Sequence, residues 1–122
     1  MDTRQVIAAL GSLAQDTRLE IFRLLVKRGP VGLAAGVIAQ RLDVPPATLT
    51  FHLHQLLHAG LVAQRRESRS LIYSANYDGM NALIAFLTEN CCSEAAGACT
   101  ASDSAKGDTM ASRRPARRVA GR

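Results

Sequence analysis

The region from Leu42 to Val62 restricts the possible folds of this chain more than any other part of the sequence. The tripeptide Asp43-Val44-Pro45 predicts a short turn. Pro46 then suits the first position of a helix, where the missing amide hydrogen of a proline removes no helical hydrogen bond. We predict that this helix runs to about His58 and that Gly60 ends it, because glycine readily adopts the left-handed conformation that follows helices.

The helix predicted from Pro46 to His58 has one apolar and one polar face. Its apolar face consists of leucines at the spacing of a buried helical stripe, namely Leu49, Leu53, Leu56 and Leu57. Its opposite face is predicted to carry Ala47, Thr48, Phe51, His54, Gln55 and His58, with Thr50 and His52 at the boundary. Small hydroxyl groups and a glutamine on such a face suit base edges and phosphates in the major groove of DNA. A merely solvated face is the alternative.

Further helices and a hairpin are predicted on either side of this region. Helices are predicted over Arg4–Leu13, from Asp16-Thr17 (with a Thr17 to Glu20 capping box) to Gly29-Pro30, over Ala35–Leu42, and from near Asp78 to residues 89–92. Strand-like runs at 61–66 and 71–75, joined by Glu67-Ser68-Arg69-Ser70, predict a hairpin. This order predicts a mainly α fold with a β-hairpin wing (α+β), a winged helix-turn-helix.

Candidate DNA-binding residues follow from this fold. They are Ala47, Thr48, Thr50, Phe51, His52 and Gln55 on the fourth helix, and Arg65, Arg66 and Arg69 in the wing. The three arginines are predicted to hold backbone phosphates or the minor groove, with an affinity that depends on salt rather than on sequence. A solvated loop is the alternative for the wing.

The charge of the chain gives weaker support for DNA binding than its total of +5 suggests. Residues 1–99 carry nine Lys and Arg against eight Asp and Glu, whereas residues 100–122 carry six against two. The folded part is therefore nearly neutral, and specificity has to come from where individual side chains lie.

The chain is predicted to comprise one folded domain and a tail. Residues 1–92 form the DNA-binding and dimerisation domain, and from Ser93 to Arg122 the composition of small, polar and Arg residues predicts a flexible, cysteine-containing tail. A core this small favours a dimer. Because no apolar run approaches the length of a membrane span, we expect a cytoplasmic protein with no membrane contact.

Three segments of the sequence resemble the ArsR/SmtB family of repressors. They are Leu13-Ala14-Gln15-Asp16-Thr17-Arg18-Leu19-Glu20-Ile21, Thr50-Phe51-His52-Leu53-His54-Gln55-Leu56 and Ala59-Gly60-Leu61-Val62, within a match over residues 3–90. The resemblance implies a homodimer formed by the first and last helices, with each fourth helix in the major groove of a palindromic operator. His52 matches the family's His-Leu pair and is expected to contact a phosphate or neighbouring backbone. Phe51 is a departure, since the family usually has a basic residue there.

All three cysteines of the chain, Cys91, Cys92 and Cys99, fall within nine residues. In a cytoplasmic protein this odd, clustered set indicates a metal or redox site rather than a disulfide framework. Neighbouring Cys91 and Cys92 can face one ion only where the last helix has ended or unwinds. Thiolate-only coordination favours a thiophilic ion, and trivalent arsenic or antimony needs only three ligands. Zinc needs a fourth, such as Glu89, Glu94, water or the partner chain.

The family comparison agrees with this interpretation. The third-helix region Ala34-Ala35-Gly36-Val37-Ile38 lacks the Cys-x-Cys of many arsenic-responsive members, and the last helix lacks the histidine of zinc-responsive ones. The chain resembles the arsenite-responsive type with a C-terminal three-cysteine site. We therefore predict a repressor, not an enzyme, that releases operator DNA when As(III) or Sb(III) binds, with no organic cofactor. Sensing of zinc, cadmium or lead, a thiol-redox switch, and a metalloid carrier or thiol enzyme are the alternatives.

Overall fold

The computed structural model describes residues 1–95 and consists, over that range, of five helices and three short strands. They are α1 (Thr3–Leu13), α2 (Asp16–Arg28), β1 (Leu33–Ala34), α3 (Ala35–Leu42), α4 (Pro46–His58), β2 (Val62–Glu67), β3 (Ser70–Ala75) and α5 (Tyr77–Leu87). This is the predicted mainly α arrangement with a β-hairpin wing. Cys99 and the Arg-rich tail, for which binding and flexibility were predicted, lie outside the described residues.

The chain divides into two compact units at the end of α5. Met1–Leu87 form the first, and the described residues from Thr88 onward belong to the second. The last helix thus ends at Leu87, before Cys91 and Cys92, whereas the sequence predicted that it fades between Glu89 and Cys92.

The first two helices begin with side-chain caps. Asp2 accepts a hydrogen bond from the Gln5 amide, and the Gln5 side chain accepts one from the Asp2 amide, which is a capping box. The capping box predicted from Thr17 to Glu20 is wrong, because the N-cap of α2 is Gln15, two residues before Thr17. There the Gln15 side chain accepts a hydrogen bond from the Arg18 amide.

The core of the first unit lies where α4 packs against α1, α2 and α3. Its largest fully buried side chains are Ile21, Leu25, Ile38, Leu49, Leu53, Leu56 and Leu61. Leu49, Leu53 and Leu56 come from α4, as their spacing predicted, and Leu57 is half-buried beside them. Because one face of α4 is held in this core, its other face is presented outward.

The three strands form an antiparallel sheet in the order β1, β3, β2. In the hairpin, Glu67 pairs with Ser70, so the loop consists of Ser68 and Arg69 alone. Immediately before β1, Gly32 has a φ of +70°, and a Cβ there would overlap the carbonyl of Tyr73. A glycine at this position therefore lets β1 lie against β3.

None of the helices within residues 1–95 has both the length and the apolar character that crossing a membrane requires.

Candidate nucleic-acid interface and thiol pair

The outward face of α4 carries most of the predicted DNA-binding side chains of that helix. The exposed residues are Ala47, Thr48, Thr50, Phe51, His54, Gln55 and His58. Phe51 has 55% of its surface exposed, which is unusual for an aromatic residue of a small domain. The structure therefore brings Ala47, Thr48, Phe51 and Gln55 together on one accessible surface.

The first turn of α4 leaves backbone amides available to a ligand. Among the described residues no side chain caps this helix, whose N-cap is Pro45. The amides of exposed Ala47 and Thr48 precede the first helical hydrogen bond, which runs from the Leu49 amide to the Pro45 carbonyl. Uncapped amides at a helix N-terminus can bind a phosphate. The Thr50 hydroxyl is engaged differently, donating to the Pro46 carbonyl at 3.0 Å.

The position of His52 differs from the expectation from sequence. That expectation put His52 at the edge of the outward face of α4, in contact with a DNA phosphate or with neighbouring protein backbone. Its side chain is buried, with 8% of the residue exposed. Arg18 Nη1 of α2 lies 3.1 Å from His52 Nδ1. Because a guanidinium can only donate, Nδ1 accepts and the proton of the neutral ring is on Nε2. We therefore assign His52 to the packing of α4 on α2, which positions the DNA face, rather than to DNA contact.

The environment of His52 favours its neutral form. Burial lowers the pKa of the His52 imidazole, and the positive charge of Arg18 lowers it further, against an opposing effect of the Asp16 carboxylate. The neutral ring can accept from Arg18, whereas a protonated ring cannot. The hydrogen bond and the lowered pKa thus support the same protonation state.

Arg18 is a residue of this region that the sequence did not single out. Its Nε also donates to the carbonyl of Ser12 in α1, at 2.6 Å. The signal was present, because Arg18 lies on the same helical stripe as buried Ile21, Phe22 and Leu25. A charged residue on an otherwise buried stripe needs partners inside the protein.

The three wing arginines differ in what they contact. Arg65 was predicted to bind phosphate, but its guanidinium donates to the Val31 carbonyl at 2.8 Å and forms an ion pair with Glu67 at 2.9 Å. This engagement assigns Arg65 to holding the hairpin against the loop before β1. Arg66 and Arg69 are exposed, and their side chains make no hydrogen bond or ion pair with any residue in the described range. They are the wing cations available to a phosphate.

The thiols of Cys91 and Cys92 lie together after the last helix. Their Sγ atoms are 3.6 Å apart and both residues are exposed. Asn90 and Cys92 have positive φ values, so this segment is a series of turns in which neighbouring side chains need not diverge. Within residues 1–95, no group of three potential metal ligands lies together. The third predicted ligand, Cys99, lies beyond that range.

Comparison with known proteins agrees with the architecture. Residues 13–65 match the model of a helix-turn-helix domain, which covers α2, α3, α4 and most of β2. The fold and this match define a winged helix-turn-helix domain, the architecture of DNA-binding transcriptional regulators.

Individual regulators resemble the chain over most of its described length. The transcriptional activator HlyU of Vibrio cholerae is 27% identical over 86 residues, 70% of this chain and 77% of HlyU. The structure of an ArsR-like transcriptional regulator from Rhodococcus sp. RHA1 superimposes with a TM-score of 0.64 at 25% identity, covering 88% of this chain and 96% of that one.

A third similar protein is described as homodimeric. The winged helix-turn-helix DNA-binding domain of Mb0332 from Mycobacterium bovis, a possible ArsR-family regulator, has a TM-score of 0.59 at 28% identity. The match covers 72% of this chain and 82% of that domain. The chain is thus similar to ArsR-type regulators in both sequence and fold.

Proposed function

We propose that this protein is a dimeric repressor that binds operator DNA and releases it when As(III) or Sb(III) binds Cys91, Cys92 and Cys99. The observation that carries the sensing part of the proposal is the 3.6 Å separation of the Cys91 and Cys92 sulfur atoms. The DNA-binding part follows from the outward face of α4 and from the class of similar proteins.

DNA binding is supported by three features of the first unit. Base edges would meet the side chains of Ala47, Thr48, Phe51 and Gln55, while a phosphate would accept from the uncapped amides of the first turn of α4. The exposed Arg66 and Arg69 on the wing would contact the DNA backbone without reading sequence. The polar face of α4 thus has a role beyond solvation.

Dimerisation is supported by solvent-exposed apolar side chains on α1 and α5, the first and last helices of the first unit. On α1, Ile7 is 64% and Leu10 is 43% exposed, and on α5, Ile84 is 51% and Leu87 is 57% exposed. Because α1 packs against α5, these side chains can form one surface. A second copy of the chain is its proposed occupant, in line with the family resemblance and with homodimeric Mb0332.

The thiol pair fits a thiophilic ion by its chemistry. A tetrahedral ion with metal–sulfur bonds of about 2.3 Å needs ligand sulfurs about 3.8 Å apart, so the observed spacing is close to that of two ligands of one ion. With arsenite, each thiol sulfur would form a bond to arsenic while one arsenic–oxygen bond breaks. The thiol proton leaves with the hydroxide as water, and no oxidation occurs. Cys99 would supply the third sulfur.

The proposed coupling acts through the chain that follows α5. Cys91 is the fourth residue after Leu87, the last residue of α5. Ligation of three cysteines would restrain this segment and alter how α5 pairs with its partner across the dimer. The separation of the two α4 helices would then no longer match successive major grooves. A free-energy coupling of about 1–3 kcal/mol is typical of such linked sites.

The sensing proposal is tested by DNA release from the reduced full-length protein. The protein is first bound to a labelled duplex taken from the DNA upstream of its own gene. Arsenite, antimonite, zinc, cadmium and lead are then titrated one at a time, and the fluorescence anisotropy of the duplex is measured. Arsenite and antimonite should release the wild-type protein at the lowest concentrations. Replacing Cys91, Cys92 or Cys99 with Ser should abolish this response, whereas the neighbouring S93A control should respond like the wild type.

The alternatives give different results in the same experiment. A zinc, cadmium or lead sensor would respond first to that ion, and a thiol-redox switch would respond to an oxidant in the absence of any ion. A metalloid carrier or thiol enzyme would bind the duplex only weakly and lose it as salt is raised. HlyU is named as a transcriptional activator, whereas we propose a repressor. A promoter–reporter measurement distinguishes activation from repression by this protein.

A further inference from the structure

The outward face of α4 lacks the charged side chains that read G·C base pairs by hydrogen bonding. All residues of α4 are described, and none of them is Lys, Arg, Asp or Glu. In the major groove, Arg and Lys recognise guanine, and Asp and Glu accept from cytosine. Asn and Gln recognise adenine, whereas apolar side chains contact the methyl group of thymine. Of the side chains that α4 exposes, Gln55 and the apolar Ala47 and Phe51 therefore belong to the A·T part of this code, while the threonines can contact either base pair.

Phe51 is held at the centre of that face. Its ring meets the imidazole of His52 edge-on, with ring centres 5.5 Å apart and an interplanar angle of 62°. His52 is itself buried and bonded to Arg18, so the phenyl ring has a fixed neighbour on its inner side. Its outer surface is exposed, and Phe51 is the one large apolar residue exposed on α4.

Gln55 stands one helical turn beyond Phe51 on the same face, and both are exposed. Its amide group offers one acceptor and two donor hydrogens, the combination that pairs with the N6 and N7 atoms of adenine. His54, which is also exposed, can offer one donor and one acceptor when neutral and so imposes no requirement for guanine.

We propose that α4 reads an A·T half-site, in which Phe51 contacts a thymine methyl group and Gln55 pairs with an adenine. This inference rests on the proposed DNA binding and adds the base identity that the helix selects. A single exposed apolar residue is common on protein surfaces and needs no explanation by itself. At Phe51 the rigid neighbour, the DNA-facing position and the lack of charged side chains on α4 together favour base contact.

Selection from random DNA tests the proposal, because it requires no assumed operator sequence. A pool of random duplexes is selected against the reduced full-length protein in the absence of any effector ion. The selected half-site should contain an A·T core at the positions under α4. Deoxyuridine is then substituted for each thymine in turn, which removes only the methyl group, and affinity is measured by anisotropy. Removing the methyl that Phe51 contacts should weaken binding about fourfold in each half-site.

Two variants assign the effect to its residues. F51A should bind the thymine and uracil duplexes equally, while L19A, which truncates an exposed apolar residue on α2, should keep the wild-type difference. Q55A should lose about fivefold or more in its preference for adenine at one position. Placing 5-methylcytosine rather than cytosine at the Phe51 position should restore part of the affinity, because the methyl group returns.

The outcomes separate this inference from the proposed function. A selected core of G·C pairs, or equal binding of every thymine and uracil duplex by the wild-type protein, would overturn the A·T reading while leaving DNA binding intact. The uracil comparison needs no variant, so a folding defect of F51A does not affect it. Failure to select any duplex would overturn both the inference and the proposed function.

Discussion

Arg18 Nη1 donates to His52 Nδ1 across 3.1 Å, and the same guanidinium donates through Nε to the carbonyl of Ser12. One side chain of α2 therefore joins the buried side of α4 to the C-terminal end of α1. Since α1 is part of the proposed dimer surface, this contact links the helix proposed to pair with the second copy to the helix proposed to contact DNA.

Removal of the Arg18 guanidinium should destabilise the protein and weaken DNA binding. R18A leaves the His52 and Ser12 acceptors without their charged donor, and we expect a loss of about 2 kcal/mol in the free energy of unfolding. Urea denaturation measures this loss. R23A, at an exposed position of the same helix, is the matched control and should change stability by less than about 0.5 kcal/mol. Equal losses in the two variants would contradict the role of Arg18.

Acidification should destabilise the fold through His52. Because burial and Arg18 lower the pKa of His52, the unfolded chain takes up a proton first as the pH falls below about 6.5. The contribution of His52 is fully present above that pH and is lost progressively toward its folded pKa. H52N keeps an acceptor oxygen but does not titrate. Urea denaturation at about pH 7.5 and about pH 5.5 should show a smaller decrease for H52N than for the wild type.

Replacing each wing arginine should distinguish the arginines that bind phosphate from the one that stabilises the hairpin. R66A and R69A should each weaken binding to specific and random duplexes alike and reduce the slope of log affinity against log salt by about 1. R65A should leave that slope nearly unchanged and instead loosen the hairpin, since Arg65 bonds the Val31 carbonyl. Anisotropy at several salt concentrations measures the slope. An R65A slope as reduced as that of R66A would show that Arg65 binds phosphate after all.

A charge on the exposed surface of α1 should prevent dimerisation. Ile7 is 64% exposed in a single copy and would be buried in the dimer, so I7D would place a carboxylate in the interface. V31D is the control, because it adds the same charge at a residue that is 57% exposed and lies outside α1 and α5. Sedimentation velocity should find I7D monomeric and V31D dimeric. Two dimeric variants would exclude this surface as the interface.

The sequence predicted those features that depend on neighbouring residues. The leucine spacing of α4 identified its buried and exposed faces, because helical periodicity is local. The partners of Arg18 and Arg65 were missed, because each contact spans 34 positions of the chain and arises only when separate elements pack. The same limit applied to His52, whose burial depends on α2. The cap of α2 was misjudged locally, since Gln15 rather than Thr17 caps the helix, although its start at Asp16 was predicted.

The thiol segment illustrates the other limit of sequence reasoning. The clustering of the cysteines was evident from the sequence. Whether Cys91 and Cys92 can bind the same ion, however, depends on where α5 ends. Its end at Leu87 leaves Cys91 and Cys92 in turns, with their sulfur atoms close together. The affinity of the three-cysteine set for a particular ion stays a prediction.

The most direct test of the account is the release of operator DNA by arsenite from the reduced, full-length protein at a protein concentration close to its DNA dissociation constant. Anisotropy of the labelled duplex should fall most of the way to the value of free DNA and level off at one arsenite per chain. In C91S it should stay at the value of the complex throughout the titration. An unchanged anisotropy for the wild-type protein, or equal release from C91S, would contradict the claim that these thiols control DNA binding.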